Sequence, residues 1–360
     1  MTGVGYDDFP DVEVSPPGEP VFRRSWRPVN LGEVLEGSWR PPAPTVGRRA
    51  DGVGLFYPGK LHTVSSESEG GKTWFMLSVV LDELGRGNNV VYVDFEDDEG
   101  GIVGRLLTLG ADRDALLRRF HYVRPDDALG GGVHLDDFVT LLRDTRPTLG
   151  VVDGVTEAMT LHGWSPNDNS DVAKFGRMLP RRLAAAGAAS VSLDHVTKSN
   201  ETRGRYSLGA VHKLNGLDGA AYVLENRTSF GVGLTGRSTV RIAKDRPGQL
   251  RKHALASSGG LHWMGDLVLT SHSEAFAEVE IVAPIETTST EFRPTHLMGE
   301  ICAVLEKHGP LSGAKIEALV KGKASSIRTA KTLLQVDGYV SDGSPHALLR
   351  PWDGGGIGDA

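Results

Sequence analysis

Residues 57–77 read YPGKLHTVSSESEGGKTWFML. The stretch from Leu61 to Ser65 predicts a buried strand. The small polar residues after it predict a loop, and the apolar-periodic run from Thr73 predicts a helix. A strand passing through Gly71-Lys72-Thr73 into a helix is the layout of a phosphate-binding loop. Its backbone N–H groups turn inward on phosphates, and the helix N-terminus presents its positive end to them. The candidate nucleotide contacts are therefore Ser66, Glu67, Ser68, Glu69, Gly70, Gly71, Lys72, Thr73 and Trp74. Lys72 is expected to reach the β- and γ-phosphates of ATP, and Thr73 to hold Mg²⁺. Two features depart from the pattern: Ser66 stands where the first glycine is expected, and Glu67 and Glu69 bring negative charge. Both carboxylates are expected to point outward.

Composition narrows the alternatives. A chain of 360 residues can bury a full core and has room for one large domain and a small one. The formal charge of −7 argues against a molecule coated in positive charge, so contact with nucleic acid would have to come from local patches or from a ring that concentrates them. Cys302 is the only cysteine, which excludes an intramolecular disulfide and a cysteine-built zinc site. No run is apolar enough to cross a bilayer, and the N-terminus lacks the basic start and apolar middle of a signal peptide. The expectation is a cytoplasmic protein without a membrane partner.

Residues 1–28 are acidic and broken by Pro10, Pro16, Pro17 and Pro20, a composition expected to be a disordered tail, with a replication partner as its candidate ligand. The segment from Trp26 to Arg49 reads as a lead-in packing on the main domain. Beyond the phosphate loop, Asn89 to Phe95 is a nearly continuous apolar run typical of a strand buried on both faces, and it ends in Asp94, Glu96, Asp97, Asp98 and Glu99. Carboxylates at the C-terminal edge of a parallel strand lie where α/β sheets place their ligands. Thr148 to Asp153 is a further apolar strand ending in an acid, and Asp153 is the candidate Mg²⁺ residue. Gly154 to Asp171 reads as a long polar loop and Asp171 to Ala185 as one helix. Ala188 to Asp194 is another buried strand, and it delivers His195 to the same edge as a candidate γ-phosphate sensor.

Residues 199–215 are basic and polar, with Arg203, Arg205 and Lys213 as candidate DNA contacts. Strands are predicted at 220–225, 231–235 and 239–243, followed by a pair near 253–256 and 261–264, as an antiparallel extension of the sheet. Leu267 to Arg293 reads as a linker. From Pro294 the pattern becomes three helices (295–307, 312–320 and 325–335) and a small hairpin, an order that resembles a winged helix-turn-helix domain. Its basic side chains Lys321, Lys323, Arg328 and Lys331 suit phosphate contact in a DNA groove. The plan expected is thus an acidic tail over 1–28, an ATPase domain over 29–266, a linker over 267–293, the winged domain over 294–352 and a flexible tail over 353–360.

Together, the phosphate loop, the carboxylate-ended second strand, Asp153 and His195 resemble the RecA-like P-loop ATPase core. Within that group the likeness is to RepA/DnaB-type hexameric helicases of phages and plasmids, often described as AAA-family ATPases. The resemblance implies that Glu96 activates the attacking water, since Gly154 follows Asp153, with Glu157 as the fallback. It further implies that Arg105 lies near the adenine, and that Lys244 and Arg246 of KDRPG reach the γ-phosphate of an adjoining subunit. By the same analogy the loops 154–171 and 199–215 would line a channel for single-stranded DNA, with Trp164 and Tyr206 either stacking on bases or anchoring their loops. The function implied is a DNA-binding ring ATPase, a replicative helicase in the first instance. The alternatives are a RecA-like recombination or repair ATPase, and an ATP-gated DNA-binding regulator or helicase loader.

Overall fold

A computed structural model of the chain describes residues 28–195, 216–231, 233–257, 260–284 and 295–352. It divides into two compact units at Pro284/Ile285. The first unit is mixed α/β. In chain order it contains α1 (Gly32–Leu35), β1 (Val46–Arg48), β2 (Gly54–Phe56), β3 (Leu61–Ser66), α2 (Lys72–Gly85), β4 (Val90–Asp94), α3 (Glu99–Thr108), α4 (Arg113–Arg119), β5 (Phe120–Val123), α5 (Val133–Thr145), β6 (Leu149–Asp153), α6 (Val155–Leu161), α7 (Asn169–Met178), α8 (Pro180–Ala185), β7 (Ala189–His195), β8 (Ala220–Thr228), β9 (Gly236–Asp245), β10 (Leu255–Ala256), β11 (His262–Ser271) and β12 (Ala277–Val282).

Among the described residues β1 and β2 form a separate hairpin, and the other ten strands form one sheet in the order β10-β11-β9-β8-β3-β7-β6-β4-β5, with β12 also on β11. From β8 to β5 every neighbouring pair is parallel. From β8 outward the pairs are antiparallel. A parallel sheet needs cover on both faces because its crossovers are helices, and β4 shows how the sequence supplies it. Val90 and Tyr92 enter the core on one face, with Phe75 and Leu106. Val91 and Val93 enter the other, with Phe138, Met159 and Leu183. The unbroken apolar run of β4 is the imprint of that two-sided burial.

The antiparallel edge departs from expectation in two places. The strand expected over 231–235 is not seen: the described residues 231 and 233–235 turn the chain between β8 and β9. The segment read as a linker from Leu267 instead continues β11 to Ser271 and supplies β12, whose Ala277 and Ile281 are buried. Its alternation was masked by the many Ser, Thr and Glu residues on the exposed positions. Other elements were overlooked because they are short: the β1–β2 hairpin, α4, and α6, which occupies part of the supposed long loop after β6. The single helix expected over 171–185 is split, since Pro180 takes the first position of α8 and cannot continue the hydrogen bonding of α7.

One buried acid on α2 ties the helix to the β1–β2 hairpin and to the residue before β6. Glu83, completely buried, accepts hydrogen bonds from Gly47 N at 3.0 Å, Asn88 Nδ2 at 2.7 Å and Thr148 Oγ1 at 2.5 Å, and pairs with Arg86 at 2.8 Å. Leucine at position 83 would fill the volume but leave those donors unsatisfied. We expect Glu83→Leu to lower stability by about 2 to 3 kcal/mol, read as a reduced urea midpoint at unchanged slope.

The second unit contains α9 (Thr295–His308), α10 (Gly313–Leu319) and α11 (Ala324–Val336). They close on their own core of Met298, Ile301, Leu305, Ile316, Ile327 and Leu334. Ser312 caps α10 by accepting from Lys315 N. After α11, single bridges join Leu311 to His346 and Val340 to Leu348. No helix among the described residues is long and apolar enough to cross a membrane. The tails 1–27 and 353–360 and the segment 196–215, with Arg203, Arg205, Tyr206 and Lys213, lie outside the described residues.

Candidate active site

The parallel register brings the candidate side chains to one edge. Ser66 pairs with His195 across β3 and β7, and Asp94 with Asp153 across β4 and β6. All four thus stand at the C-terminal ends of adjacent strands, where open α/β sheets bind ligands. From Ser66 the chain loops through Gly71, the N-cap of α2 at φ +90°, a conformation natural only to glycine. Ser66 is buried, and its hydroxyl donates to the Glu67 carbonyl at 2.6 Å. Glu67 and Glu69 are exposed, in line with the outward orientation expected of them.

Lys72 is only 8% exposed, and its ammonium donates to Nδ1 of His195 at 3.2 Å. Nε2 of the same ring lies 3.6 Å from Oε1 of Glu96. With Nδ1 acting as acceptor, the ring's proton sits on Nε2 and faces Glu96. Burial, then the neighbouring Lys72, lowers the pKa of His195, which favours this neutral form. Lys72 is itself lowered by burial, against the opposing pull of Glu96 and Asp153. A lysine, a neutral imidazole and a carboxylate therefore form a chain across the strand ends.

The carboxylates are held under strain of charge. Burial is the main cause that pushes Glu96 up to about 7, and the charge and shared hydrogen bond of Glu157 add to it. Burial likewise raises Asp153 to about 7, against the hydrogen bond that Tyr92 donates to its Oδ2 at 2.6 Å. Its other oxygen, Oδ1, is buried without a hydrogen-bond partner. An orphaned carboxylate oxygen among acids fits a hard divalent cation. Asp153 and the Thr73 hydroxyl would hold Mg²⁺, which would offset the negative charge of the phosphates. No cluster of three or more His, Cys, Asp or Glu among the described residues makes a protein-only metal cage.

Two positioning features escaped the sequence reading. Asp94, fully buried, accepts from the N–H groups of Glu96 and Asp97 through Oδ1 and from the Tyr122 hydroxyl through Oδ2, so it shapes the turn that presents Glu96. Gly154, at φ +82°, leaves room for that presentation, because a Cβ there would lie 2.8 Å from Cγ of Glu96. The acidic cluster in the sequence pointed to the place but not to this division of labour between structural and chemical acids.

Arg105 pairs with Asp97 at 2.8 Å and lies 5.9 Å from the ring centre of Trp74, which brings together two candidate nucleotide contacts. Trp164 anchors its loop: its ring stacks on His162 at 5.1 Å and packs on the core. Lys244 and Arg246 stand apart from the site. Ala221 pairs with both Lys244 and Thr63. Gly219 links Arg246 to Leu61 through backbone hydrogen bonds of 3.0 Å on either side. Arg246 is thus level with the first residue of β3, five positions before Ser66 and roughly 16 Å away along the strand. In the second unit Arg328 makes a paired contact with Glu317 at 2.9 and 3.1 Å, and Lys331 lies 3.1 Å from His346. Lys321 and Lys323 are exposed.

Phosphate loop, strand-end acids and parallel sheet have the layout of a P-loop, RecA-like ATPase domain. Residues 38–201 match the family model of the AAA domain, which spans the loop, Asp153 and His195. No curated protein matches the chain.

Proposed function

We propose that the protein is a ring-forming ATPase that binds DNA and hydrolyses ATP between subunits, in the manner of RepA-type replicative helicases. Glu96 is the general base that takes the proton of the attacking water, His195 senses the γ-phosphate, and Lys72 moves from His195 to the phosphates when ATP binds. The observation that carries the ring is the remoteness of Lys244 and Arg246 from Lys72 of the same chain. A cationic pair whose Lys244 and Arg246 lie roughly 10 and 16 Å along the sheet from the end of β3 suits a γ-phosphate in a neighbouring copy. The turn that bears the pair is built for constancy, since Asp245 accepts from Tyr57 Oη at 2.7 Å, Gly248 N at 3.0 Å and Leu250 N at 2.9 Å.

The order of helices and bridges in the second unit supports a winged helix-turn-helix. Lys321 and Lys323 are its best DNA contacts, since Arg328 and Lys331 are engaged within the unit. That engagement also favours a second reading, in which this unit docks protein and the ATPase acts as a nucleotide-gated regulator. Hydrolysis measured over a range of protein concentrations, with and without single-stranded DNA, separates the two. The motor requires a rate per subunit that climbs with concentration and again with DNA, whereas flat turnover indifferent to DNA would reject it. Arg246→Ala is expected to keep ATP binding and lose hydrolysis at least about a hundredfold. Mixing it with Glu96→Gln protein should restore part of the rate, because some interfaces then carry both intact groups. A mixture as inactive as its components rejects action between subunits.

A further inference from the structure

The loop sequence SESEGGKT lacks the first glycine of its pattern and places a glutamate, Glu69, at φ +60°. A non-glycine residue holds such a backbone only where its surroundings over-determine it. Those surroundings come from the hairpin of β8 and β9. Asn226 Nδ2 donates to the Glu69 carbonyl at 3.1 Å, and the buried Ser238 hydroxyl donates to the Gly70 carbonyl at 2.9 Å. Between them the Phe230 ring lies so close over Gly71 that a Cβ there would sit 2.6 Å from it. Two successive carbonyls of the loop are thus held by side chains from a part of the sheet more than 150 residues away in sequence.

From this geometry we infer that Asn226 and Ser238 are positioning residues for the phosphate loop, clamping its peptide planes so that the Glu69 and Gly70 carbonyls face the hairpin and the Gly71 N–H faces the anion. In a trans peptide the C=O of one residue and the N–H of the next point in opposite directions. Holding the Gly70 carbonyl on Ser238 therefore aims the Gly71 N–H away from the hairpin, alongside the unpaired first N–H groups of α2. Holding the Glu69 carbonyl on Asn226 turns Gly70 N inward, where it closes on the Glu67 carbonyl at 3.1 Å. Ser66 completes the set by binding that same Glu67 carbonyl with its hydroxyl. The two hairpin donors thus turn two carbonyl dipoles away from the site, and the hairpin does the work that the missing glycine leaves undone. Phe230 excludes water from one side of Gly71.

This inference rests on the nucleotide site proposed above, and the test is arranged to tell the two apart. Affinity for ATP and ADP is measured by calorimetry on the full chain, its Lys72→Ala variant, Ser238→Ala, Asn226→Ala and Asn226→Asp. Thermal midpoints without nucleotide and the split between kcat and KM are measured in parallel. Each clamp variant is expected to bind both nucleotides about five- to tenfold more weakly, with the ligand-free midpoint nearly unchanged and kcat at saturation within about twofold. Asn226→Asp, which keeps the shape but turns a donor into a charged acceptor, is expected to lose more than Asn226→Ala. Wild-type affinity in variants that fold overturns the clamp and leaves the site standing, as does a loss of affinity matched by an equal loss of stability. Failure of the unaltered chain to bind either nucleotide overturns both.

Discussion

Replacing Lys72 by alanine is expected to weaken ATP binding by about a hundredfold while leaving the fold intact. A charge-assisted hydrogen bond to phosphate contributes about 1.5 to 3 kcal/mol, and each 1.4 kcal/mol is tenfold. Lys72 belongs at the upper end because it is almost buried and faces Glu96, Asp153, Asp194 and Glu157. Without its ammonium, those acids would meet the polyphosphate unopposed. The same burial gives the prediction a second edge. A lysine whose pKa is lowered on folding is held against its preference for water, so removing it relieves a cost in the ligand-free protein. The thermal midpoint of Lys72→Ala is therefore expected to stay within a few degrees of the unaltered chain, or to rise. Calorimetric titration with ATP and a melting curve read both outcomes, and an affinity within twofold of the original would remove the phosphate loop from the account.

How much of this site could be read from the sequence depends on the range of the interaction that builds it. Lys72, Asp153 and His195 were legible because each closes or follows a local pattern, a strand ending in a polar residue or a loop opening a helix. From the residues alone Glu96 was one of five acids, and only the family likeness singled it out. Its distinction from Asp94 arises from Tyr122 and from two backbone N–H groups, which no spacing encodes. The clamp on the phosphate loop was invisible for the same reason: Asn226 and Ser238 are ordinary strand residues until the sheet brings them over Glu69 and Gly70. At the far edge, β12 hid in a segment whose exposed positions carry Glu and Ser, so only its inward residues, Ala277 and Ile281, told of the sheet. Composition describes the exposed face of an edge strand, whereas burial is decided by the partner.

Substituting Glu96 by glutamine is expected to lower the hydrolysis rate by about 10² to 10⁴, the range ascribed to a positioned general base, and to leave ATP affinity equal or higher, since an acid facing the γ-phosphate is removed. Its raised pKa adds a signature in pH. The base acts only when deprotonated, so with a pKa of about 7 kcat/KM should rise tenfold per pH unit below that value and level off above it. In the mechanism proposed above, saturating Mg²⁺ takes up Asp153, which leaves Glu96 as the titrating carboxylate. Glu157→Gln removes the neighbouring charge that helps raise Glu96, and the limb should move to lower pH with the plateau kept. If Glu157→Gln abolishes turnover and Glu96→Gln does not, the two carboxylates exchange roles. Stability should run the other way. A carboxyl raised on folding retains its proton while the unfolded chain releases one, so between the unfolded value near 4.5 and the folded value of about 7 the ligand-free fold loses stability as pH rises. Glu96→Gln holds no such charge, and at pH 8 it should melt above the unaltered chain. A variant that is more stable and nearly inactive is what a group placed for chemistry predicts, whereas a carboxylate that served only the fold would lose stability on substitution.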